Sequence, residues 1–275
     1  MWTYIGPFGN LLQIKCPTPG MSAPIERAGS EQFTLDGYRF IQRPTVAVRR
    51  WEMQIELATP DDVRHLYALE LGVYGPPPWQ WYNPAAAHIN MLTPWLSAPG
   101  VPGPRKWVSG SATALIYSAP NVMEVPSAAL QALSPAVPVF PGRDYVASAD
   151  ILDRPGGTST GVLSMRWVDA AGATISTVTS AAETSPNRLV VTGEAPVNAA
   201  GVVLILDPNV STTGRFGSIQ LREGTTDDVE WHVGMGVEGV SIATGLQQIY
   251  QEVYDDVRDG VVRSVSATLL EVQSA

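Results

Sequence analysis

The sequence predicts a mainly β chain: a discontinuous β-barrel or β-sandwich domain built from both ends, an inserted jelly-roll β-sandwich, and one or two short helices. Three observations predict it. Glycine (25) and proline (23) are numerous beside 17 Lys plus Arg, a composition of many short strands joined by turns. Two-residue alternation of apolar and polar side chains recurs near both ends, at 51–57 and 265–269. Between them, 91–228 is poor in charge, rich in Ala, Val, Ser, Thr, Gly and Pro, and reads as about seven strands.

Composition narrows the function. Hydrophobic residues make up 45% and charged ones 16%, which favours a folded chain with a substantial core. The net charge of -9, with no basic stripe to neutralise phosphates, argues against nucleic acid and anionic membrane surfaces as partners. Cys16 is the single cysteine, which removes disulfide frameworks and thiolate metal clusters. No apolar run reaches bilayer length. Met1-Trp2-Thr3-Tyr4 lacks the basic start and apolar stretch of a secretion signal, so the reading is of a protein made and folded in a cytoplasm.

Along the chain, residues 1–30 read as loops with short extended pieces, broken by Gly6-Pro7, Pro17-Thr18-Pro19-Gly20 and Gly29. Trp51, Met53, Ile55 and Leu57 then face one way and Glu52, Gln54 and Glu56 the other. Val46 and Val48 lie in the opposite phase, which marks Arg49-Arg50 as a bulge or as the point where the strand changes sheet. A helix follows: Thr59 is its N-cap, Pro60 fits the first turn, and Asp61 and Asp62 sit at its positive end. Val63, Leu66, Tyr67 and Leu71 fall on one face, and Gly72 offers the stop.

Within 91–228, strands are predicted at 113–117, 144–152, 162–168, 174–179, 188–192, 202–206 and 218–222, with a hairpin connection at Asp169-Ala170-Ala171-Gly172. After Trp231 charge density rises. Residues 246–254 read as a short helix or an irregular arm. Val265, Ala267 and Leu269 form a last strand, which needs a partner and finds its natural host in the first ninety residues. The domains are therefore 1–90 with 229–275, enclosing 91–228.

Four phrases in that insert resemble carbohydrate-binding-module-like domains of phage tail proteins. Asn90-Met91-Leu92-Thr93-Pro94 resembles their opening phrase, and Pro138-Val139-Phe140-Pro141-Gly142-Arg143-Asp144-Tyr145-Val146-Ala147-Ser148-Ala149 the strand that follows. Met165-Arg166-Trp167-Val168-Asp169-Ala170-Ala171-Gly172 is similar to their next hairpin. Ser218-Ile219-Gln220-Leu221-Arg222-Glu223-Gly224-Thr225 is similar to the closing strand. The flanks, ending in Leu269-Leu270-Glu271-Val272, resemble minor tail proteins of siphophages that infect actinobacteria. The arrangement is similar to distal tail proteins, which form a ring between tail tube and tip. The resemblance implies a structural, non-enzymatic protein of the virion tail tip, synthesised in the host bacterial cytoplasm. It implies tail-tube, tail-tip and tape-measure proteins as partners, self-association in a ring, and host cell-wall polysaccharide as a possible contact. The alternative is a free or enzyme-attached carbohydrate-binding protein. Ninety residues before the module and about forty-five after it favour the first reading, since a lone sugar-binding module has no need of them.

Each candidate site has a plain structural alternative. Gly234-Met235-Gly236-Val237-Glu238-Gly239 matches the dinucleotide fingerprint by letters, but its sequel Val240-Ser241-Ile242 is strand-like and supplies no helix N-terminus for a pyrophosphate. It reads as a glycine-rich turn. His65, His88 and His232 form no metal motif, and His65 reads as an exposed or capping residue. The pairs Asp61-Asp62, Asp227-Asp228 and Asp255-Asp256 read as solvated turns or helix starts rather than glycosidase acids. Trp107, Tyr145 and Trp167 are candidates for stacking on sugar rings, against the alternative that they fill the core. Trp79, Trp81 and Tyr82, after a triple proline, are candidates for a subunit interface, against packing within their own domain. Glu223, Asp227 and Asp228 are candidates for a structural calcium ion. No other cofactor is expected.

Overall fold

The computed structural model describes residues 2–15, 25–26, 30–33, 36, 38–42, 48–82, 84–100, 105–110, 114–127, 129–209, 213–227, 230–255 and 258–272. The chain is mainly β with short helices, and it divides into two compact units. One unit comprises 1–3, 12–79 and 238–275; the other comprises 4–11 and 80–237.

In the first unit, Val48–Ala58 pairs antiparallel with Arg258–Glu271, placing Leu269 opposite Trp51, Ala267 opposite Met53 and Val265 opposite Ile55. All six side chains are buried, so the two alternations meet on one face. The sheet is open, with four strands in the order Val240–Asp255, Arg258–Glu271, Val48–Ala58, Ile25–Glu26, and no barrel closes among the described residues. No bulge interrupts the register at Arg50; instead the strand acquires a different partner there, since Arg49 and Val48 pair with Ile25 and Glu26. Val46 and Cys16 lie outside the described residues. Glu271 explains the closing phrase: its carboxylate accepts from Arg49 Nε at 3.1 Å, Nη2 at 2.9 Å and the backbone N–H at 3.0 Å. This forked, charge-assisted clamp ties one end of the unit to the other.

The helix spans Pro60–Glu70 and starts on a complete capping box, with Thr59 and Asp62 exchanging side-chain and backbone bonds. Its buried stripe is Val63, Leu66 and Leu69, with Asp62 and His65. Tyr67 and Leu71, expected on that stripe, face solvent, because burial follows the 63–66–69 spacing and both residues fall more than a quarter of a turn from its centre. His65 is likewise not exposed: its ring lies buried, 5.3 Å from that of Tyr74. Residues 246–254 belong to neither a helix nor an irregular arm but to the strand Val240–Asp255. Its hairpin partner supplies the hydrogen bonds that a short polar segment cannot supply alone, an instance of tertiary context overriding local pattern.

The second unit is a two-sheet sandwich. One sheet has the order Asn187–Glu194, Asp144–Ile151, Gly214–Glu223, Val122–Val125, Ile116–Ala119. The other runs Thr174–Thr179, Thr160–Val168, Gly201–Asp207, Ala132–Leu133, Val108–Ser109, with two short additions at Val137–Pro138 and Glu183–Thr184. Neighbouring strands are antiparallel. Inward side chains alternate along each strand, with Tyr145, Ala147, Ala149, Leu189, Val191 and Leu221 facing Leu163, Met165, Trp167, Val202 and Leu204 in one core. This is a jelly-roll β-sandwich.

The opening phrase has a structural cause. Asn90 is fully buried; its Nδ2 lies within hydrogen-bond distance of Ser97 Oγ (2.8 Å) and the carbonyls of His232 (2.9 Å) and Ile219 (3.2 Å). Its Oδ1 accepts from the N–H of Leu92 and of Leu221. One amide thus joins the entry of the sandwich, its closing strand and the segment that follows. The glycine-rich segment 234–239 packs tightly as well: a Cβ on Gly234 would lie 2.1 Å from the Leu92 carbonyl oxygen, and one on Gly236 would lie 1.9 Å from that of Met91. These glycines permit backbone contact, and Val240 then begins a strand, the geometry of a turn rather than of a nucleotide loop.

Candidate functional site

Most of the residues singled out from sequence turn out to be structural. Trp107, Tyr145 and Trp167 are buried in the sandwich core. Tyr145 and Trp167 meet across it with ring centroids 5.8 Å apart. Trp107 Nε1 donates to the Leu96 carbonyl at 3.1 Å, and the Tyr145 hydroxyl accepts from the Phe140 N–H at 2.8 Å. Their faces are covered by protein, which leaves none for a sugar ring. Trp79, Trp81 and Tyr82 are also buried. Trp79 bonds backbone to backbone with Val240, and Tyr82 pairs with Tyr4; covered aromatics of this kind offer a partner subunit nothing. Among the tryptophans with described side chains, Trp95 and Trp231 alone keep their rings partly in solvent.

The calcium candidates do not converge. Asp227 accepts from Arg188 Nε at 3.0 Å and from Ser148 Oγ at 3.1 Å. Glu223 belongs to a different cluster with Tyr4, Arg143 and His88, where burial pushes its carboxyl above the ordinary value against the lowering pull of Arg143 and the Tyr4 hydrogen bond. Burial also pushes the Tyr4 hydroxyl up to about 12, with Glu223 adding to the rise. Asp228 lies outside the described residues. No cluster of three or more metal-type ligands occurs among the described residues.

Two arginines on the outer faces of the sandwich carry more chemical information. On the five-stranded sheet, Arg188 donates to Asp150 Oδ1 at 2.7 Å, Ser148 Oγ at 2.8 Å, Asp227 Oδ2 at 3.0 Å and Gln220 Oε1 at 3.2 Å. Beside it, Ser218 holds a positive φ of 49° at a break in register, clasped by Asn121: Ser218 N–H donates to Oδ1, and Nδ2 donates to Ser218 Oγ. That guanidinium is spoken for by its own chain.

The opposite sheet differs. Leu163, Met165 and Trp167 point into the core, so Ser164, Arg166 and Val168 occupy the outer face. Arg166 pairs in register with Val203 on one side and Thr177 on the other. Its Nε is buried without a hydrogen-bond partner, and among the described residues no ion pair reaches it. The surroundings are mixed. Val168, Val203 and Ile205 form a small apolar cluster, over which Phe8 and Leu133 pack while staying partly exposed. Phe8 is laid on this face by the turn in which Asn10 N–H donates to the Pro7 carbonyl. A Cβ on Gly201 would meet the Phe8 ring at 2.8 Å, so the glycine makes room for it. Ser164 and Thr179 hydroxyls share a hydrogen bond of 2.9 Å, and Thr177 is exposed. An aromatic edge, hydroxyls and an uncompensated guanidinium on one flat sheet suit contact with a polyhydroxylated ligand. Arg166 stands inside the hairpin phrase and belongs to no motif of its own. The signal was there: a lone cation in the outward phase of a charge-poor strand.

No protein-family model and no curated protein sequence matches the chain. Solved structures similar to it include the CBM22-1–GH10 modules of Clostridium thermocellum endo-1,4-β-D-xylanase 10B, at 19% identity and a TM-score of 0.35 over 43% of this chain; the chain spans 26% of that structure's length. The CBM22-1 xylan-binding domain of Paenibacillus barcinonensis Xyn10C is similar at 13% identity and TM-score 0.37, over 51% of this chain and 99% of that one. The enzymatically active domain of bacteriophage CBA120 tailspike protein 4 is similar at 14% identity and TM-score 0.37, over 50% of this chain and 22% of that one. The assignment of the second unit as a jelly roll rests on its own strand order.

Proposed function

We propose that this chain is a non-enzymatic structural subunit of a phage tail tip, which self-associates and contacts tail-tube, tail-tip and tape-measure proteins. The observation that carries this reading is the hairpin Val240–Asp255/Arg258–Glu271. Its second strand is covered by Val48–Ala58 only from Leu270 back to Arg263, because the chain then turns at Thr59 into the helix. Five more pairs, Gln251↔Val262 to Asp255↔Arg258, run on as a ribbon with no third strand beside it among the described residues. A ribbon of two strands is marginal in water by itself and gains stability by adding to a neighbour's sheet; symmetric assemblies reuse such a contact in every copy. The resemblance of the flanks to minor tail proteins supports the same reading.

The test is light scattering of the full chain across concentration, beside a variant in which 251–262 is replaced by a short turn, together with imaging of the intact virion. A concentration-dependent oligomer that is lost in the variant, and density for the chain at the tail tip, are expected. A wild-type chain that stays monomeric at every concentration and is absent from purified virions would sink the proposal.

A second role is favoured by the Arg166 face: contact with host cell-surface glycan. Its polar and aromatic groups support only modest affinity at one site, so useful binding comes from many copies held on one tail.

A further inference from the structure

We infer that the outer face around Arg166 takes an acidic polysaccharide, with a carboxylate or phosphodiester oxygen of the polymer pairing with the Arg166 guanidinium. This rests on the glycan-contact reading above and narrows it to a ligand class. A guanidinium cannot shed its charge and carries five donors in a planar fork, so a half-buried one is stabilised by an anion. Arg188 shows what this sandwich does with a structural arginine: two carboxylates and two polar side chains surround it. Arg166 is denied that arrangement. Its cross-strand neighbours are Val203 and Thr177.

The carboxylates along the same strands are committed elsewhere. Asp207 accepts from Gln131 Nε2 and the Asn209 N–H, and it stands four residues beyond Val203, roughly 13 Å along the strand. Asp169 is held by the N–H groups of Ala171 and Ala173 in its turn. The hydroxyls of Ser164, Thr177 and Thr179 line the strands beside Arg166 and suit the remaining polar groups of a sugar unit. The partly exposed Phe8 and Leu133 suit its apolar CH face. Phosphate and carboxylate both match the fork bidentately. The overall charge of -9 does not draw in a polyanion, so retention by one reports a local site rather than the net field.

The experiment is affinity electrophoresis and calorimetry on the full chain with three probes: polygalacturonate for carboxylate, poly(glycerol phosphate) for phosphodiester, and dextran as a neutral polymer. Wild type should bind at least one acidic polymer about tenfold or more tightly than dextran, as expected for one charge-assisted contact. Arg166→Gln should fall to the dextran level with its melting temperature unchanged. Thr177→Glu, which supplies the missing carboxylate opposite Arg166, should also lose acidic-polymer binding while retaining the cation, so the proposal does not hang on one variant. Dextran binding equal to that of both acidic polymers, or full acidic binding by Arg166→Gln, overturns the inference and leaves the glycan reading standing. Binding of none of the three probes removes both.

Discussion

The two outer faces of the sandwich each present an arginine on a strand, and the chain treats them oppositely. Arg188 is enclosed by Asp150, Asp227, Ser148 and Gln220, and the segment after the closing strand lies over its neighbours, with Trp231 Nε1 donating to the Ile219 carbonyl. Arg166, on the other sheet, has an orphaned Nε and packs beside valine, isoleucine and threonine. Both residues belong to ordinary strands with the same inward phase of large apolar side chains. What separates them is whether a later part of the chain returns with a carboxylate. A folded chain tolerates an unpaired, half-buried cation poorly unless something else supplies the anion. The lesson is that the side of the sandwich closed by its own chain is architectural, while the side left electrostatically incomplete is the one to probe with ligands.

Four stability measurements break or sharpen that comparison. The largest effect is expected between the faces: Trp167→Ala removes a fully buried ring from the shared core and should cost about 3–5 kcal/mol in denaturant unfolding. A melting curve unchanged by this substitution, with loss of glycan binding, would return Trp167 to a surface role. Next, Arg188→Ala strands Asp150 and Asp227 and should cost about 2–3 kcal/mol, discounted for the partial exposure of the network; a loss below half a kcal/mol would make the two faces equivalent. Smaller is the effect of Glu223→Gln. Burial raises the Glu223 pKa above its ordinary 4.5, so its stabilising protonated form prevails below the unfolded-state value and stability is lost as pH rises through the folded-state value. The glutamine variant should therefore melt higher than wild type at pH 7, with the difference vanishing below about pH 4; a lower melting temperature at pH 7 would show that Arg143 and Tyr4 outweigh burial. Smallest of all, Arg166→Gln should shift stability by no more than about 0.5 kcal/mol in either direction. A loss as large as that of Arg188→Ala would reveal a structural role for the open face.

The strands and their phases were legible because alternation is a local consequence of one face meeting a core: Trp51–Ile55, Val265–Leu269 and Leu163–Trp167 each declare their buried side in sequence. The Thr59 capping box was legible for the same reason, since its bonds span only three residues. The strand at 246–254 was not, because its polar sequence has no period of its own and its pairing is set by Arg258–Glu271. Nor was the fate of the aromatics. Nothing within a few residues of Trp107, Tyr145 or Trp167 distinguishes a core ring from a stacking platform, and only the second sheet, arriving from elsewhere in the chain, decides that they are covered.

By itself, then, the sequence determined the mainly β class and the inward phase of the strands around Trp51–Ile55 and Val265–Leu269, both of which follow from short-range spacing of apolar side chains. The tertiary structure alone decided which charges are paired. Asp227 lies thirty-nine residues from Arg188 and Glu271 lies 222 from Arg49; electrostatic partners need proximity in space, which no local pattern records, and that Arg166 Nε is buried without a hydrogen-bond partner among the described residues is visible only in the folded chain.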